Sequence, residues 1–157
     1  MNNYFLKALN QENEAPYIPV WLLRQAGRYM PEYREVRSQY KDFFEMIKKP
    51  EICKELTLQP LNAFDLDAAI TFTDILTIPD ALGLKVNFVK GKGPIFEKSL
   101  SSMDKLDLNT NEFHDKIQYV YSATSLIKEN VNVPLIGFTG SPWTVSYTHL
   151  TLPTKPF

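Results

Sequence analysis

Apolar positions along this chain follow two kinds of pattern, and the alternation between them sets the expected fold. Three runs are short, continuous and apolar: Pro19-Val20-Trp21-Leu22-Leu23, Ala68-Ala69-Ile70-Thr71-Phe72, and Val133-Pro134-Leu135-Ile136-Gly137-Phe138. Runs of this length suit buried strands. Between them, apolar residues recur at intervals of three and four, the spacing of one helix face. Tyr33, Val36, Tyr40, Phe43, Phe44 and Ile47 form one such stripe after Pro31, a residue that permits a helix start. Pro50 ends that helix and opens the next, whose stripe is Ile52, Leu56, Leu58 and Leu61. Asn111 is placed to cap a helix carrying Phe113, Ile117, Val120, Tyr121, Thr124 and Ile127. From Gly83 to Phe96 the pattern shortens around Val86, Phe88 and Val89, and the Gly91-Lys92-Gly93-Pro94 turn predicts a hairpin. Residues 1–18 read as a short lead-in helix and loop.

The resulting order is strand, helices, strand, hairpin, helix, strand. Long crossovers of this kind imply an α/β fold with parallel strands. Three strands do not close such an architecture, since a (β/α)8 barrel takes roughly 250 residues. The chain is therefore expected to be part of something longer.

Composition narrows the class without naming a function. With 157 residues, 44% of them hydrophobic, and a net charge of −1, the chain is ordinary for a globular domain. That charge gives no electrostatic reason to expect a nucleic-acid or membrane partner. The single cysteine, Cys53, excludes an internal disulfide and fits a reducing cytosol. The start, Met1-Asn2-Asn3-Tyr4, lacks the basic and apolar regions of a signal peptide. No apolar run approaches the roughly 18 residues that a membrane span needs. A soluble, cytoplasmic protein is expected.

The arginines change the picture. All four (Arg24, Arg28, Arg34 and Arg37) lie between positions 24 and 37, where there is no lysine, and every other basic residue is a lysine. Lysine thus serves wherever a solvated positive charge suffices. Arginine is kept for a place that needs a planar, permanently charged fork, as bidentate recognition of carboxylate or phosphate does. The competing reading is a helix surface that happens to be arginine-rich.

After Thr144 the character changes again. Residues 145–157 show neither helical periodicity nor alternation, and they resemble one reading frame of a transposase-end adapter used in preparing sequencing libraries. They are expected to be a non-native tail, the competing reading being a Thr/Pro-rich loop. Tyr147, Thr148 and His149 accordingly receive no role.

Three blocks resemble the uroporphyrinogen decarboxylase family. The first is Pro19-Val20-Trp21-Leu22-Leu23-Arg24-Gln25-Ala26-Gly27-Arg28-Tyr29-Met30-Pro31-Glu32-Tyr33. The second runs Glu55-Leu56-Thr57-Leu58-Gln59-Pro60 and then Leu66 to Leu76, and the third is Gly137-Phe138-Thr139-Gly140-Ser141-Pro142-Trp143-Thr144. The resemblance implies that residues 1–144 are the N-terminal part of a TIM barrel. It also implies a homodimer for the full-length protein, with no metal and no organic cofactor. The implied reaction removes the four acetate carboxyl groups of uroporphyrinogen III, giving coproporphyrinogen III. Such a site must hold carboxylates, stabilise a pyrrole protonated on ring carbon, and exclude water.

By this resemblance Arg24 and Arg28 clamp substrate carboxylates just after the first strand, on the catalytic face of such a barrel. Backbone N–H groups of Gln25, Ala26 and Gly27 serve the same anions, with Gly27 allowing close approach. Tyr33 stands where the family has an aromatic lining residue, and Arg37 is a second-rank carboxylate contact. Equally open are a packing role for Tyr33 and a solvated helix charge for Arg37. Asp74 follows the second strand and is expected to stabilise the transition state by accepting pyrrole N–H donors, a helix-cap role being the alternative. Asp65 and Asp67 precede that strand, on the structural face. A guanidinium is a poor acid, so Arg24 is read as a positioner, with water or a substrate carboxylic acid as the proton source.

The match also fails at one place. The family has a substrate-contacting tyrosine at position 148, where this chain has threonine, with Tyr147 one residue early. The family's later serine and histidine lie beyond this chain. Two alternatives remain open: a corrinoid-dependent methyltransferase of the same superfamily, whose zinc ligands would lie in a C-terminal half, and a non-catalytic fragment. The paired arginines favour the decarboxylase. With three strands of eight, the 157-residue chain itself is expected to be inactive.

Overall fold

The structure, a computed structural model, describes residues 3–12, 14–89, 93–96 and 110–140. Helices α1 (Tyr4–Leu9), α2 (Pro31–Ser38), α3 (Phe43–Ile47) and α4 (Pro50–Ala63) lead into strand β1 (Ala69–Ile70). Helix α5 (Thr77–Ala81) and strands β2 (Val86–Val89) and β3 (Gly93–Phe96) follow. Helices α6 (Thr110–Lys116) and α7 (Gln118–Asn130) then lead to strand β4 (Leu135–Ile136). The described residues fall into two compact units. One is drawn from Met1–Phe72 and Tyr119–Phe138, the other from Thr73–Gln118 and Thr139–Phe157.

In the first unit β1 and β4 pair in parallel, with Ala69 opposite Leu135 and Ile70 opposite Ile136. The Ala69 N–H donates to the Pro134 carbonyl at 2.9 Å and the Thr71 N–H to the Ile136 carbonyl at 3.0 Å. Parallel pairing across a helical crossover is what the alternating pattern implied. Ala69, Ile127 and Val131 are buried there, with Leu58 and Leu61 of α4 and Val133 and Leu135 packed against them. Two strand runs and two helix stripes thus meet in one apolar cluster, each covering what the others would expose to water.

Two expectations fail in this unit. Pro19–Leu23 is not a strand: Val20, Leu22 and Leu23 are exposed, Leu23 at 66%. The run is tied to the unit at Val20, whose N–H donates to Asp67 Oδ2 and whose carbonyl accepts the Asp67 N–H, both at 2.9 Å. The single helix expected from Pro31 to Ile47 is two, α2 and α3. Asp42 restarts the chain as an N-cap, its carboxylate accepting the Glu45 N–H at 2.8 Å. The Arg37 side chain meanwhile ties down the Tyr40 carbonyl at 2.6 Å. Local capping outweighs the continuous apolar stripe.

In the second unit β2 and β3 form the expected antiparallel hairpin, from Val86 opposite Phe96 to Val89 opposite Gly93. Residues 90–92 of its turn lie outside the described residues. Gly83, at φ 89°, turns the chain after α5, and the Leu84 N–H closes onto the Pro79 carbonyl at 3.2 Å. The helix expected from Asn111 to Ile127 is divided at Ile117, whose N–H is shared between the Phe113 and His114 carbonyls, each at 3.2 Å. Residues 141–157 lie outside the described residues, and with them the end of the third family-like block and the expected tail. Among the described residues no helix is long and apolar enough to cross a membrane.

Candidate functional site

The arginine-bearing segment is held against β1 by side chains. At its start, Asp67 accepts the Tyr17 hydroxyl at 2.6 Å and the Val20 N–H at 2.9 Å. That is a structural role, as its place before the strand implied. Further on, Gln25 is buried, with 2% of its surface exposed. Its Nε2 donates to the Ala68 carbonyl at 2.6 Å and its Oε1 accepts the Ile70 N–H at 3.0 Å. The Gln25 side chain is therefore turned to the strand.

The segment then closes on itself. Tyr29 Oη donates to the Gln25 carbonyl, and the Met30 N–H to the Gly27 carbonyl at 3.0 Å. Arg34, on α2, reaches back to donate to the carbonyls of Arg28 at 2.8 Å and Tyr29 at 3.3 Å. A Cβ added at Gly27 would meet only the Tyr29 ring, at 3.5 Å, which is ordinary contact. The chain's own packing thus leaves room for a side chain there. Ala26 is half-buried beside it.

Arg24 and Arg28 are both exposed, and among the described residues neither is ion-paired with a carboxylate. Two forked cations thus stand on a backbone tied down at Val20, at Gln25 and, through Arg34, at Arg28. Such an arrangement can take carboxylates in bidentate geometry with little ordering cost in the main chain.

Tyr33 and Arg37 sit on α2. Tyr33 is buried, its ring 5.9 Å from that of Phe72 at a tilt of 55°. Burial raises the pKa of its hydroxyl, opposed by the nearby charges of Arg37 and then Arg28. In this structure Tyr33 packs rather than projects. Arg37 is half-buried, and its bond to Tyr40 engages part of its guanidinium with the end of α2.

Asp74, in the second unit, is half-buried. Its Oδ1 accepts the Leu76 N–H at 2.7 Å, and its carbonyl accepts the Thr77 hydroxyl at 2.9 Å. The turn before α5 is thereby organised around it. Burial raises its pKa above the ordinary aspartate value, with the Leu76 N–H opposing. A carboxylate partly shielded from water in this way is more costly to ionise alone and responds to a positive charge brought near it.

Sequence reasoning left two contributors without roles. Arg34 lies in the arginine cluster, which does not say what it holds. Thr57, buried in α4, donates to the Cys53 carbonyl at 2.8 Å and accepts the Phe72 N–H at 3.1 Å. Only its place in the second family-like block hinted at it. Among the described residues no group of three His, Cys, Asp or Glu is placed to hold a metal ion.

Comparison with known proteins gives a consistent result. The family model described as uroporphyrinogen decarboxylase (URO-D) matches residues 1–150. The uroporphyrinogen decarboxylase of Francisella philomiragia is 48% identical over 151 residues, covering 93% of this chain and 43% of that protein. That of Vibrio campbellii is 49% identical over 150 residues, covering 92% of this chain and 41% of the other. The chain therefore spans less than half the length of these curated relatives. Among solved structures, a methyltransferase from Methanosarcina mazei superposes with a TM-score of 0.66 at 23% identity, covering 96% of this chain and 45% of that one. At that identity the likeness is one of fold, and it agrees with part of a (β/α) barrel.

Proposed function

The chain belongs to the uroporphyrinogen decarboxylase family, and on that premise we propose that residues 1–144 are the N-terminal part of an enzyme that converts uroporphyrinogen III to coproporphyrinogen III. The observation that carries this reading is the confinement of every arginine to positions 24–37, with Arg24 and Arg28 exposed on an anchored backbone. A substrate with eight carboxylates is the kind of ligand such a segment recognises.

In this reading Arg24 and Arg28 hold acetate or propionate groups, each charge-assisted contact contributing about 1.5–3 kcal/mol. The backbone N–H groups of Gln25, Ala26 and Gly27 meet the same anions, and the room beside Gly27 serves substrate approach. Arg37 offers its remaining donors to a further carboxylate, and Tyr33 shapes the wall behind the segment. Asp74, ionised yet poorly hydrated, accepts pyrrole N–H donors and stabilises the ring when it is protonated on carbon. The protonated ring then takes up the electron pair of the breaking C–C bond as CO2 departs, a proton from water or a substrate carboxylic acid completes the methyl group, and the ring carbon gives its own proton back to solvent, restoring the pyrrole. Neither a metal nor an organic cofactor has a part in this scheme.

The complete protein in this reading is a cytoplasmic homodimer. Residues 145–157 are a non-native tail, and the 157-residue chain alone is inactive because most of the barrel is missing. The functional test is a chimera in which residues 1–144 replace the matching part of the Francisella philomiragia enzyme. Conversion of uroporphyrinogen III to coproporphyrinogen III by the chimera supports the proposal. A folded chimera without turnover contradicts it. Sequencing the source locus past the codon for Thr144 tests the tail, since a native frame should restore a tyrosine at position 148.

A further inference from the structure

The geometry points to Gln25 as a positioning residue: its side chain fills the place of a neighbouring strand residue along β1 and so sets where Arg24 and Arg28 stand. This inference rests on the reading above that those two arginines hold substrate carboxylates.

In a parallel sheet, a residue on one strand donates its N–H to the carbonyl before its opposite number and accepts the N–H after it. Along β1, the N–H groups of Ala69 and Thr71 face β4 and bond to Pro134 and Ile136. The Ala68 carbonyl and the Ile70 N–H alternate with them and face the other edge. No strand runs there among the described residues, and yet both groups are satisfied. The Gln25 carboxamide supplies one donor to Ala68, at 2.6 Å, and one acceptor to Ile70, at 3.0 Å. It pairs with β1 as a strand residue opposite Ala69 would.

Two bonds to atoms two residues apart on a strand fix both the position and the rotation of the carboxamide. The side chain is buried, so water does not compete for them. Arg24 is bonded to Gln25 through the backbone, and Arg28 follows within a turn closed by Tyr29 Oη on the Gln25 carbonyl. Displacing Gln25 therefore moves both guanidinium groups together. The chemistry is specific to glutamine. Glutamate has no donor for Ala68, asparagine is one methylene too short, and methionine fills the volume but bonds to neither. The same geometry commits the Gln25 side chain to the strand, so its effect on substrate passes through the arginines.

The chimera described above allows a test with oxidised uroporphyrin, a stable fluorescent compound with the same eight carboxylates. Gln25→Met is expected to weaken binding about tenfold, whereas in an Arg24→Ala/Arg28→Ala background the same change costs less than about threefold more. Non-additivity of this kind marks two residues acting through one contact. If Gln25→Met does not fold, Gln25→Glu, which keeps the acceptor for Ile70, decides by the same comparison. Unchanged uroporphyrin affinity in the folded variant overturns the inference, and so does a full Gln25 effect persisting in the Arg24→Ala/Arg28→Ala background. A parent chimera that does not bind uroporphyrin removes the carboxylate-binding reading itself, and this inference with it.

Discussion

Arg34 donates from Nη1 to the carbonyl oxygen of Arg28 at 2.8 Å, so one arginine of the cluster holds the backbone of another. A second bond from the same nitrogen reaches the Tyr29 carbonyl at 3.3 Å. Arg34 is exposed, so removing its fork should change stability by less than about 0.5 kcal/mol. The expected effect is on recognition. In the chimera, Arg34→Met should raise KM about threefold to tenfold with little change in kcat, because a looser Arg28 binds ground state and transition state less well alike. A KM equal to that of the parent, from steady-state turnover, would show that this brace does not matter.

Asp74 should trade stability against activity. Burial raises its carboxyl pKa, so the folded protein holds that proton more tightly than the unfolded chain. Its contribution to stability is therefore full below the ordinary aspartate range and is lost as pH rises through the raised value. At neutral pH the ionised group is a cost. Asp74→Asn removes the charge while its side-chain oxygen can still accept the Leu76 N–H. Thermal unfolding should show Asp74→Asn more stable than the parent at neutral pH, with the gap closing as pH falls. Turnover should drop roughly 10²–10³-fold, the scale for removing a group that stabilises developing charge. A destabilised Asp74→Asn at neutral pH would mean that the strengthening of the Leu76 bond by the carboxylate charge outweighs the desolvation.

Thr57 carries the continuation of the β1 edge. Its hydroxyl takes the Phe72 N–H at 3.1 Å, two residues beyond the Ile70 N–H that Gln25 takes. Thr57→Val keeps the shape but leaves that half-buried donor unpaired, which should cost about 1–3 kcal/mol in urea unfolding of the chimera. Thr57→Ser retains the hydroxyl and should cost only about 1 kcal/mol, the value of the lost methyl group. Equal losses for the two variants would rule out the hydrogen bond as the cause.

What the sequence made legible was whatever depends on neighbours within about four residues, together with the family-like blocks. The Val86–Phe96 hairpin and the start of α4 at Pro50 are local in this sense. The parallel pairing of β1 and β4 followed from the long crossover between them. The break between α2 and α3 is local too, but it was masked because the apolar stripe runs through it while Asp42 supplies a competing cap. The Pro19–Leu23 run looked like a buried strand because periodicity reports apolarity and not the presence of a covering partner. Its exposed Leu22 and Leu23 show that difference. Gln25 was hardest to read. It stood inside the substrate-like motif, and nothing local announces that a side chain will pair with a backbone 43 residues further on.

The arginine grip itself is tested most directly by the affinity of the chimera for uroporphyrin with Arg24 and Arg28 replaced by lysine, singly and together. Lysine keeps the charge and loses the fork, so any change isolates bidentate geometry. Each single replacement should raise Kd about tenfold, and the pair about a hundredfold, given that 1.4 kcal/mol corresponds to a factor of ten. A folded double variant that binds uroporphyrin within twofold of the parent would contradict the assignment of this segment as the carboxylate-binding element.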